Sequence, residues 1–210
     1  MWKFKIMKTI IFDIDGTIFD TKKGIIDCLN DVLECFGARK ISNEKENNYI
    51  GPAVKDSLMK FNKFSERIAD QATIMYREKY VSNYVLESMP YDGLLDLLNY
   101  LRHKGYQICI ATMKTRTQVD KLLEIYHIKD FFDCIETASD QGGYSKFDML
   151  KKIKGKYPNN ELLFVGDTKG DYLASKEAGI AFIYAEYGYG IVNGDNFIRI
   201  KQLENVKVYV

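Results

Sequence analysis

Long apolar runs, an excess of charge of one sign and a disulfide framework are all missing from this sequence of 210 residues. No stretch is apolar over the roughly 20 residues needed to cross a bilayer, so a membrane protein is not expected. The 30 basic and 29 acidic residues give a formal net charge of +1, and no long run of like charge occurs. This balance argues against nucleic acid or an anionic membrane as the main partner.

The beginning of the chain, MWKFKIMK, lacks the apolar core of an export signal, so we predict a cytoplasmic protein. Met1 and Met7 are both candidates for the first residue, because Met7 stands just before the first predicted strand. The length allows one sizeable core with an insertion.

Cysteines are few and are not spaced as a metal or redox motif. Cys28 and Cys35 lie seven residues apart on one face of a predicted helix, and Cys109 and Cys134 stand alone. No CxxC pair occurs, which disfavours a zinc site or a dithiol motif. We therefore predict buried thiols in a reducing cytosol.

The segment TIIFDIDGTIFD, residues 9–20, combines an apolar run with two carboxylates. Its apolar residues predict a strand over residues 9–13 that is buried on both faces. Asp13 and Asp15 share one face of that strand, because side chains alternate with a period of two. Two like charges at the end of a buried strand are costly without a positive partner. The sequence therefore predicts a cation, a proton or both at this position.

After residue 88, short apolar segments alternate with helical ones. Strands are predicted at YQICIAT (106–112), DCIET (133–137), ELLFVGD (161–167) and IAFIYA (180–185), each after an amphipathic helix. This alternation is typical of an α/β protein whose parallel sheet lies between two layers of helices, a Rossmann-like core.

An all-helical block interrupts this core after its first strand. Thr21 is a candidate N-cap for its first helix, the chain breaks at Gly51, and a long helix is predicted over residues 65–86. We predict an α/β core of residues 1–17 and 89–210, and a helical cap of residues 18–88 over the C-terminal edge of the sheet.

Ligands of open α/β sheets bind beyond the carboxyl ends of the strands. The residues that this sequence places there are Asp13, Asp15, Thr112, Met113, Lys114, Asp167 and Asp171, with Lys146 at the start of a helix. Carboxylates on rigid strand ends suit a hard cation such as Mg²⁺, whose coordination a substrate phosphate completes. A carboxylate can then attack phosphorus while a lysine and a hydroxyl neutralise the other oxygens.

Four segments, DIDGT, IATMK, the lysine of YSK and GDTKGD, resemble in order and spacing the four motifs of the haloacid dehalogenase-like hydrolase superfamily. The helical insert and the segment YGYG resemble the branch that contains the phosphoglycolate phosphatases. The chain departs from the usual family pattern at Met113 and Phe147.

The resemblance implies a role for each matching residue. Asp13 would be the nucleophile, and Asp15 the acid that protonates the leaving group and then the base that activates water. Thr112 and Lys146 would hold the phosphoryl oxygens, with Lys114 as the alternative lysine. The implied Mg²⁺ site is formed by Asp13, the main-chain carbonyl of Asp15 and Asp167 as ligands, and by Asp171, which would hold a metal-bound water or support the lysine.

The resemblance also implies substrate contacts from Thr17, Gly51, Met113 and Lys114. In the cap, Lys55 or Arg77 would meet a second anionic group, or would lie on a solvated helix surface.

The implied function is a Mg²⁺-dependent phosphatase acting on a small phosphorylated metabolite, such as phosphoglycolate or a nucleotide, through an aspartyl-phosphate. A phosphosugar mutase of the β-phosphoglucomutase kind, a pyrophosphatase and a binding protein without turnover are the alternatives. The expected oligomeric state is a monomer or a homodimer.

Overall fold

The computed structural model of the protein describes residues 8–139, 144–194 and 197–210, so the two candidate start residues lie outside the described residues. Its strands are β1 (Lys8–Phe12), β2 (Phe19–Asp20), β3 (Met89–Pro90), β4 (Gln107–Thr115), β5 (Cys134–Ala138), β6 (Glu161–Gly166), β7 (Ala181–Ala185) and β8 (Ile198–Ile200). Six of them pair in parallel in the order β5-β4-β1-β6-β7-β8. The predicted parallel core is confirmed, and β8 is an additional edge strand that the sequence pattern did not predict.

Helices cover both faces of this sheet. They are α1 (Lys22–Cys35), α2 (Val54–Phe61), α3 (Glu66–Lys79), α4 (Leu94–His103), α5 (Arg116–Ile125), α6 (Lys146–Lys156) and α7 (Lys169–Ala178). In β1, Ile10 and Phe12 belong to one apolar cluster with α4 and α5, whereas Ile11 belongs to a second cluster with α6 and α7. A strand buried on both faces explains the continuous apolar run of β1.

The helical insert lies between β2 and β3, which pair with each other as a short antiparallel ribbon. Its apolar side chains, such as Leu29 and Leu58, join the same apolar cluster as Ile10 of the sheet. None of the described helices has the length and apolarity needed to cross a membrane.

Three sequence predictions need correction. The long helix predicted for residues 65–86 is α-helical only to Lys79, and then continues as a π-helical segment, Tyr80–Tyr84, and a short 3-10 segment, Val85–Glu87. Strand β4 runs to Thr115, so that Met113 and Lys114 lie within the strand and not after it. Cys35 is exposed at the last residue of α1, and only Cys28 and Cys109 are fully buried.

Candidate active site

Three carboxylates meet where β1 and β6 end. Asp13 follows β1 directly, Asp167 follows β6, and Asp171 lies in the first turn of α7. Because β1 and β6 are paired neighbours, their carboxyl ends reach the same edge of the sheet. One oxygen from each of these side chains lies within 4.8 Å of the others, and all three residues are buried.

Lys146 supplies positive charge to this cluster. Its Nζ lies 2.8 Å from Oδ1 of Asp13 and 2.9 Å from Oδ1 of Asp171. Burial alone would lower the pKa of Lys146, but Asp13 and Asp171 outweigh it and hold the pKa above its usual value. The lysine is the first residue of α6, whose N-cap, Ser145, accepts a hydrogen bond from the main chain of Asp148. It therefore stays charged and bridges two of the carboxylates.

One lysine does not neutralise three buried carboxylates. Burial raises the pKa of Asp13 to about 7; Lys146 lowers it, while Asp171 and Asp15 raise it further. Burial also raises the pKa of Asp167 well above its usual value, with a further contribution from Asp171. The cluster therefore favours the binding of protons or of another cation.

The donor atoms fit a divalent cation. Oδ2 of Asp167 accepts a hydrogen bond from the main-chain N–H of Tyr189 at 2.7 Å. Oδ1 of the same carboxylate is buried and has no hydrogen-bond partner among the described residues. A buried carboxylate oxygen without a partner is costly unless a ligand completes it. Clustered carboxylate oxygens of this kind suit Mg²⁺.

Asp171 is held in place by the N-terminus of its own helix. Its Oδ2 accepts hydrogen bonds from the main-chain N–H of Thr168 at 3.0 Å and from the Thr168 hydroxyl at 2.7 Å. The Thr168 hydroxyl oxygen in turn accepts from the N–H of Asp171 at 3.1 Å. This reciprocal capping box fixes the carboxylate, and directs Oδ1 toward Lys146.

Asp15 forms a separate charged pair. Its Oδ1 lies 3.0 Å from Nζ of Lys114 and accepts a hydrogen bond from the Thr21 hydroxyl at 2.6 Å. Thr21 does stand at the N-cap position of α1, but its side chain makes no capping hydrogen bond, so the prediction of a capping side chain is wrong. The Thr21 hydroxyl donates to the carboxylate in a charge-assisted hydrogen bond, and the phenol oxygen of Tyr189 accepts from the first N–H groups of α1 instead.

The other residues predicted to contact substrate lie at different depths. Thr112 and Thr17 are fully buried, and the Thr17 hydroxyl has no partner among the described side chains and main-chain groups. Met113 is half-buried and packs against the second apolar cluster, on the side of α6. Lys55 of the cap pairs with Glu66 and Asp70 on the cap surface.

Gly51 brings the cap close to the carboxylate cluster. Its φ is +99°, and a Cβ at this position would lie 3.0 Å from Cγ2 of Thr168, the N-cap of α7. Only a residue without a side chain allows this approach at ordinary cost.

Several residues of the site were not singled out from the sequence. Thr168, the N-cap of α7, does carry a local signal, the capping-box spacing within GDTKGD. Tyr189 lies in the segment YGYG, but its contact with Asp167 crosses 22 residues. Tyr80 of the cap accepts a hydrogen bond from Lys114 across 34 residues, and no local pattern indicates it.

Comparison with known proteins agrees with this architecture. The sequence model of the haloacid dehalogenase-like hydrolases matches residues 10–185. The phosphoglycolate phosphatase of Aquifex aeolicus is 31% identical over 192 residues, covering 89% of this chain and 88% of the relative. The pyrophosphatase PpaX of Halalkalibacterium halodurans is 26% identical over 196 residues, covering 92% of this chain and 88% of the relative.

A solved structure shows the same fold. The crystal structure of a predicted phosphatase from Clostridium acetobutylicum superposes with a TM-score of 0.89 at 24% identity, covering 98% of each chain. The protein thus belongs to the haloacid dehalogenase-like hydrolase family. The family predicted from the four motifs is confirmed. The prediction that the protein is an enzyme of the hydrolase class is confirmed with it.

Proposed function

We propose that this hydrolase is a Mg²⁺-dependent phosphatase that cleaves a small phosphomonoester through an aspartyl-phosphate on Asp13. The observation that carries the proposal is the position of Lys146, whose Nζ bridges Asp13 and Asp171 at 2.8 and 2.9 Å. A carboxylate nucleophile, a second carboxylate and a lysine around one point are the groups that phosphoryl transfer requires.

The metal would be held by Asp13, Asp167 and Asp171, together with the main-chain carbonyl of Asp15. When bound, Mg²⁺ neutralises negative charge on the transferring phosphoryl group. The orphaned Oδ1 of Asp167 supports this assignment, because it is a buried acceptor with no partner among the described residues.

In the first step, an oxygen of Asp13 forms a bond to phosphorus while the bond from phosphorus to the leaving oxygen breaks. Lys146 stabilises the charge on the phosphoryl oxygens, and the Thr112 hydroxyl donates to one of them. Asp15 gives its proton to the leaving oxygen, so that the product departs as an alcohol or acid. The burial of Asp13 excludes bulk water and strengthens these interactions.

In the second step, water attacks phosphorus and Asp15 takes its proton. The bond between Asp13 and phosphorus breaks, which releases inorganic phosphate and restores both carboxyl groups to their starting states. Asp15 lies two residues after Asp13 and can serve both steps, because a group that gives a proton in one direction can accept one in the other.

The substrate class rests on the relatives. One is named a phosphoglycolate phosphatase and another a pyrophosphatase. We propose a small phosphorylated metabolite of this kind, with phosphoglycolate as the first candidate and pyrophosphate as the second. The sequence also predicted a nucleotide as an alternative substrate and a phosphosugar mutase reaction as an alternative activity, and both stay predictions.

The test is phosphate release from a panel of phosphoglycolate, pyrophosphate, nucleoside monophosphates and sugar phosphates, with Mg²⁺ and with EDTA. Wild type is compared with Asp13→Asn, and Asp56→Asn, an exposed carboxylate of the cap, is the matched control. We expect Mg²⁺-dependent release that Asp13→Asn abolishes and Asp56→Asn leaves intact. Full activity of Asp13→Asn would remove the proposed nucleophile.

Conversion of a sugar phosphate to its isomer without free phosphate would replace the phosphatase with the mutase. The ranking of the panel by kcat/KM would identify the substrate class.

A further inference from the structure

Lys114 is a buried cation whose partners come from two parts of the molecule. Its Nζ lies 3.0 Å from Oδ1 of Asp15 and donates a hydrogen bond to the Tyr80 hydroxyl at 3.1 Å. The ammonium also lies 4.3 Å from the centre of the Tyr80 ring. Only 4% of its side chain is exposed. A buried ammonium depends on such partners, because water does not solvate it.

Tyr80 reaches Lys114 through an unusual turn of the cap. It is the first residue of the π-helical segment Tyr80–Tyr84, which interrupts the helical stretch after α3. π-helical turns are rare and often occur at functional sites, since the extra residue in the turn redirects side chains. The Tyr80 side chain is fully buried.

The Tyr80 hydroxyl is fixed by a second contact. Its oxygen lies in hydrogen-bond distance, 2.8 Å, of Oγ of Ser88. Ser88 is the residue just before β3, where the cap chain returns to the core, and it is fully buried. Tyr80 thus connects the return point of the cap with the lysine beside Asp15.

We propose that Tyr80 is a positioning residue that acts through Lys114. The phenol holds the ammonium in place, and the ammonium orients Oδ1 of Asp15, the oxygen that also accepts from Thr21. Since Tyr80 belongs to the cap and Lys114 to the core, the hydrogen bond that positions Lys114 requires the cap to lie over the site. The inference rests on the proposed function, which assigns the proton transfers to Asp15.

The first test is Tyr80→Phe, which removes the hydroxyl and keeps the ring that packs on Tyr76. We expect kcat/KM for phosphoglycolate, or for the best alkyl phosphate of the panel, to fall about tenfold. With p-nitrophenyl phosphate the loss should be less than about threefold, because p-nitrophenolate departs without a proton from Asp15. Equal losses on both substrates would overturn the inference.

A matched control lies in the same π-helical segment. The Tyr84 hydroxyl hydrogen-bonds to Asp31 of α1, a contact within the cap. Tyr84→Phe removes a hydroxyl from the same element without touching Lys114, so we expect kcat/KM to stay within about twofold of wild type. A loss as large as that of Tyr80→Phe, with the same dependence on the leaving group, would contradict the assignment to Tyr80.

A double-mutant cycle with Lys114→Met tests whether Tyr80 acts through the lysine. We expect Tyr80→Phe to have no further effect on kcat/KM once Lys114 is replaced, since residues that act together are not additive. Full additivity would mean that Tyr80 acts by another route, and would overturn the inference.

The same four proteins give a second cycle from denaturant unfolding, which does not depend on turnover. We expect measurable coupling between the two substitutions. An absence of coupling would show that the contact with Tyr80 does not hold the lysine. If wild type and Asp13→Asn release phosphate from no substrate, the proposed function fails, and this unfolding cycle still decides the contact between Tyr80 and Lys114.

Discussion

The main-chain N–H of Tyr189 donates to Oδ2 of Asp167 at 2.7 Å, while the side chain of the same tyrosine contacts the cap. Its phenol oxygen accepts hydrogen bonds from the N–H groups of Thr21 and Lys22, at 2.7 and 3.0 Å, at the beginning of α1. The hydroxyl donates to Oδ1 of Asp20 at 2.6 Å. One residue therefore binds a proposed metal ligand through its main chain and caps the first helix of the cap through its side chain.

Tyr189→Phe should separate these two contacts. The N–H to Asp167 remains, whereas the N–H of Thr21 loses its acceptor and the N–H of Lys22 keeps only its longer hydrogen bond to Oδ1 of Asp20, at 3.3 Å. We expect the free energy of unfolding to fall by about 1 kcal/mol, as for the loss of a helix N-cap. Mg²⁺ affinity measured by calorimetry should stay unchanged.

Tyr209→Phe, at a tyrosine that is 43% exposed, is the control and should change stability by less than about 0.5 kcal/mol. A loss of Mg²⁺ affinity without a loss of stability would contradict this division.

Gly51→Ala should impair the approach of the cap to the core. The new Cβ would lie 3.0 Å from Cγ2 of Thr168, in a backbone conformation with φ of +99°. Gly37→Ala is the matched control, because Gly37 also has a positive φ of +64°, but beyond its chain neighbours a new Cβ there would meet no atom of the described residues within 4 Å. We expect both variants to lose about 1 kcal/mol of stability from backbone strain.

The two glycine variants should differ in catalysis. We expect only Gly51→Ala to raise KM for the best substrate, since only this position touches the edge of the site. Steady-state kinetics on both proteins provides the measurement. Equal kinetic effects would show that strain in the cap, and not the contact with Thr168, is responsible.

Lys146→Met should remove the positive charge from the carboxylate cluster with little change of shape. Asp13 and Asp171 lose their ion-pair partner, and the pKa of Asp13 rises further because Lys146 lowers it in the wild type. We expect kcat to fall by about 10²-fold or more, as for the loss of one transition-state donor.

Lys152→Met on the same helix is the control, since that side chain is 66% exposed and pairs with Glu136. Near-normal activity of Lys146→Met would assign the phosphoryl contact to Lys114, the alternative that the sequence left open.

The metal-free protein should become less stable as the pH rises. Burial raises the pKa of Asp13 from 3.8 to about 7, so the folded state binds this proton more tightly than the unfolded state. The contribution to stability is complete below about pH 4 and is lost as the pH rises through about 7. Asp167, whose pKa burial also raises, acts in the same direction.

Mg²⁺ should reverse this trend because it binds the ionised carboxylates. We expect the rise in Tm on replacing EDTA with Mg²⁺ to be larger at pH 7.5 than at pH 5. Thermal unfolding of wild type and Asp13→Asn at both pH values is the measurement, and the variant should show a weaker pH dependence without the metal. A Mg²⁺ effect of equal size at both pH values would argue against these carboxylates as the ligands.

The parts of the fold that local pattern determines were predictable. The apolar run of β1 and the alternation after residue 88 indicated the parallel sheet, and the rule for strand ends brought Asp13, Asp167 and Lys146 together. The two-residue ribbon of β2 and β3 and the short edge strand β8 carry too few residues for a pattern. The π-helical turn at Tyr80 depends on packing around it, since α and π turns use the same kinds of residues.

Long-range polar contacts were not predicted from the sequence, for a related reason. The sequence assigned Thr21 to a local role, the N-cap, but in the fold its hydroxyl donates to the Asp15 carboxylate, and Tyr189 from the other end of the chain caps the helix. The partners of Lys114 were not predicted either, because Asp15 and Tyr80 approach it from different elements. Such choices are decided by tertiary neighbours, which a single sequence does not reveal.

The ribbon formed by β2 and β3 has a consequence for the origin of specificity. Phe19 and Pro90 are paired neighbours, so the points where the helical insert leaves and rejoins the core lie side by side. A segment with adjacent ends can be exchanged for one of another length or sequence without altering the register of the sheet. The cluster around Asp13 and Lys146 lies wholly in the α/β core, outside the helical insert. The helical insert is therefore a single module with adjacent ends, whose exchange would change the surface over the proposed site without moving its carboxylates.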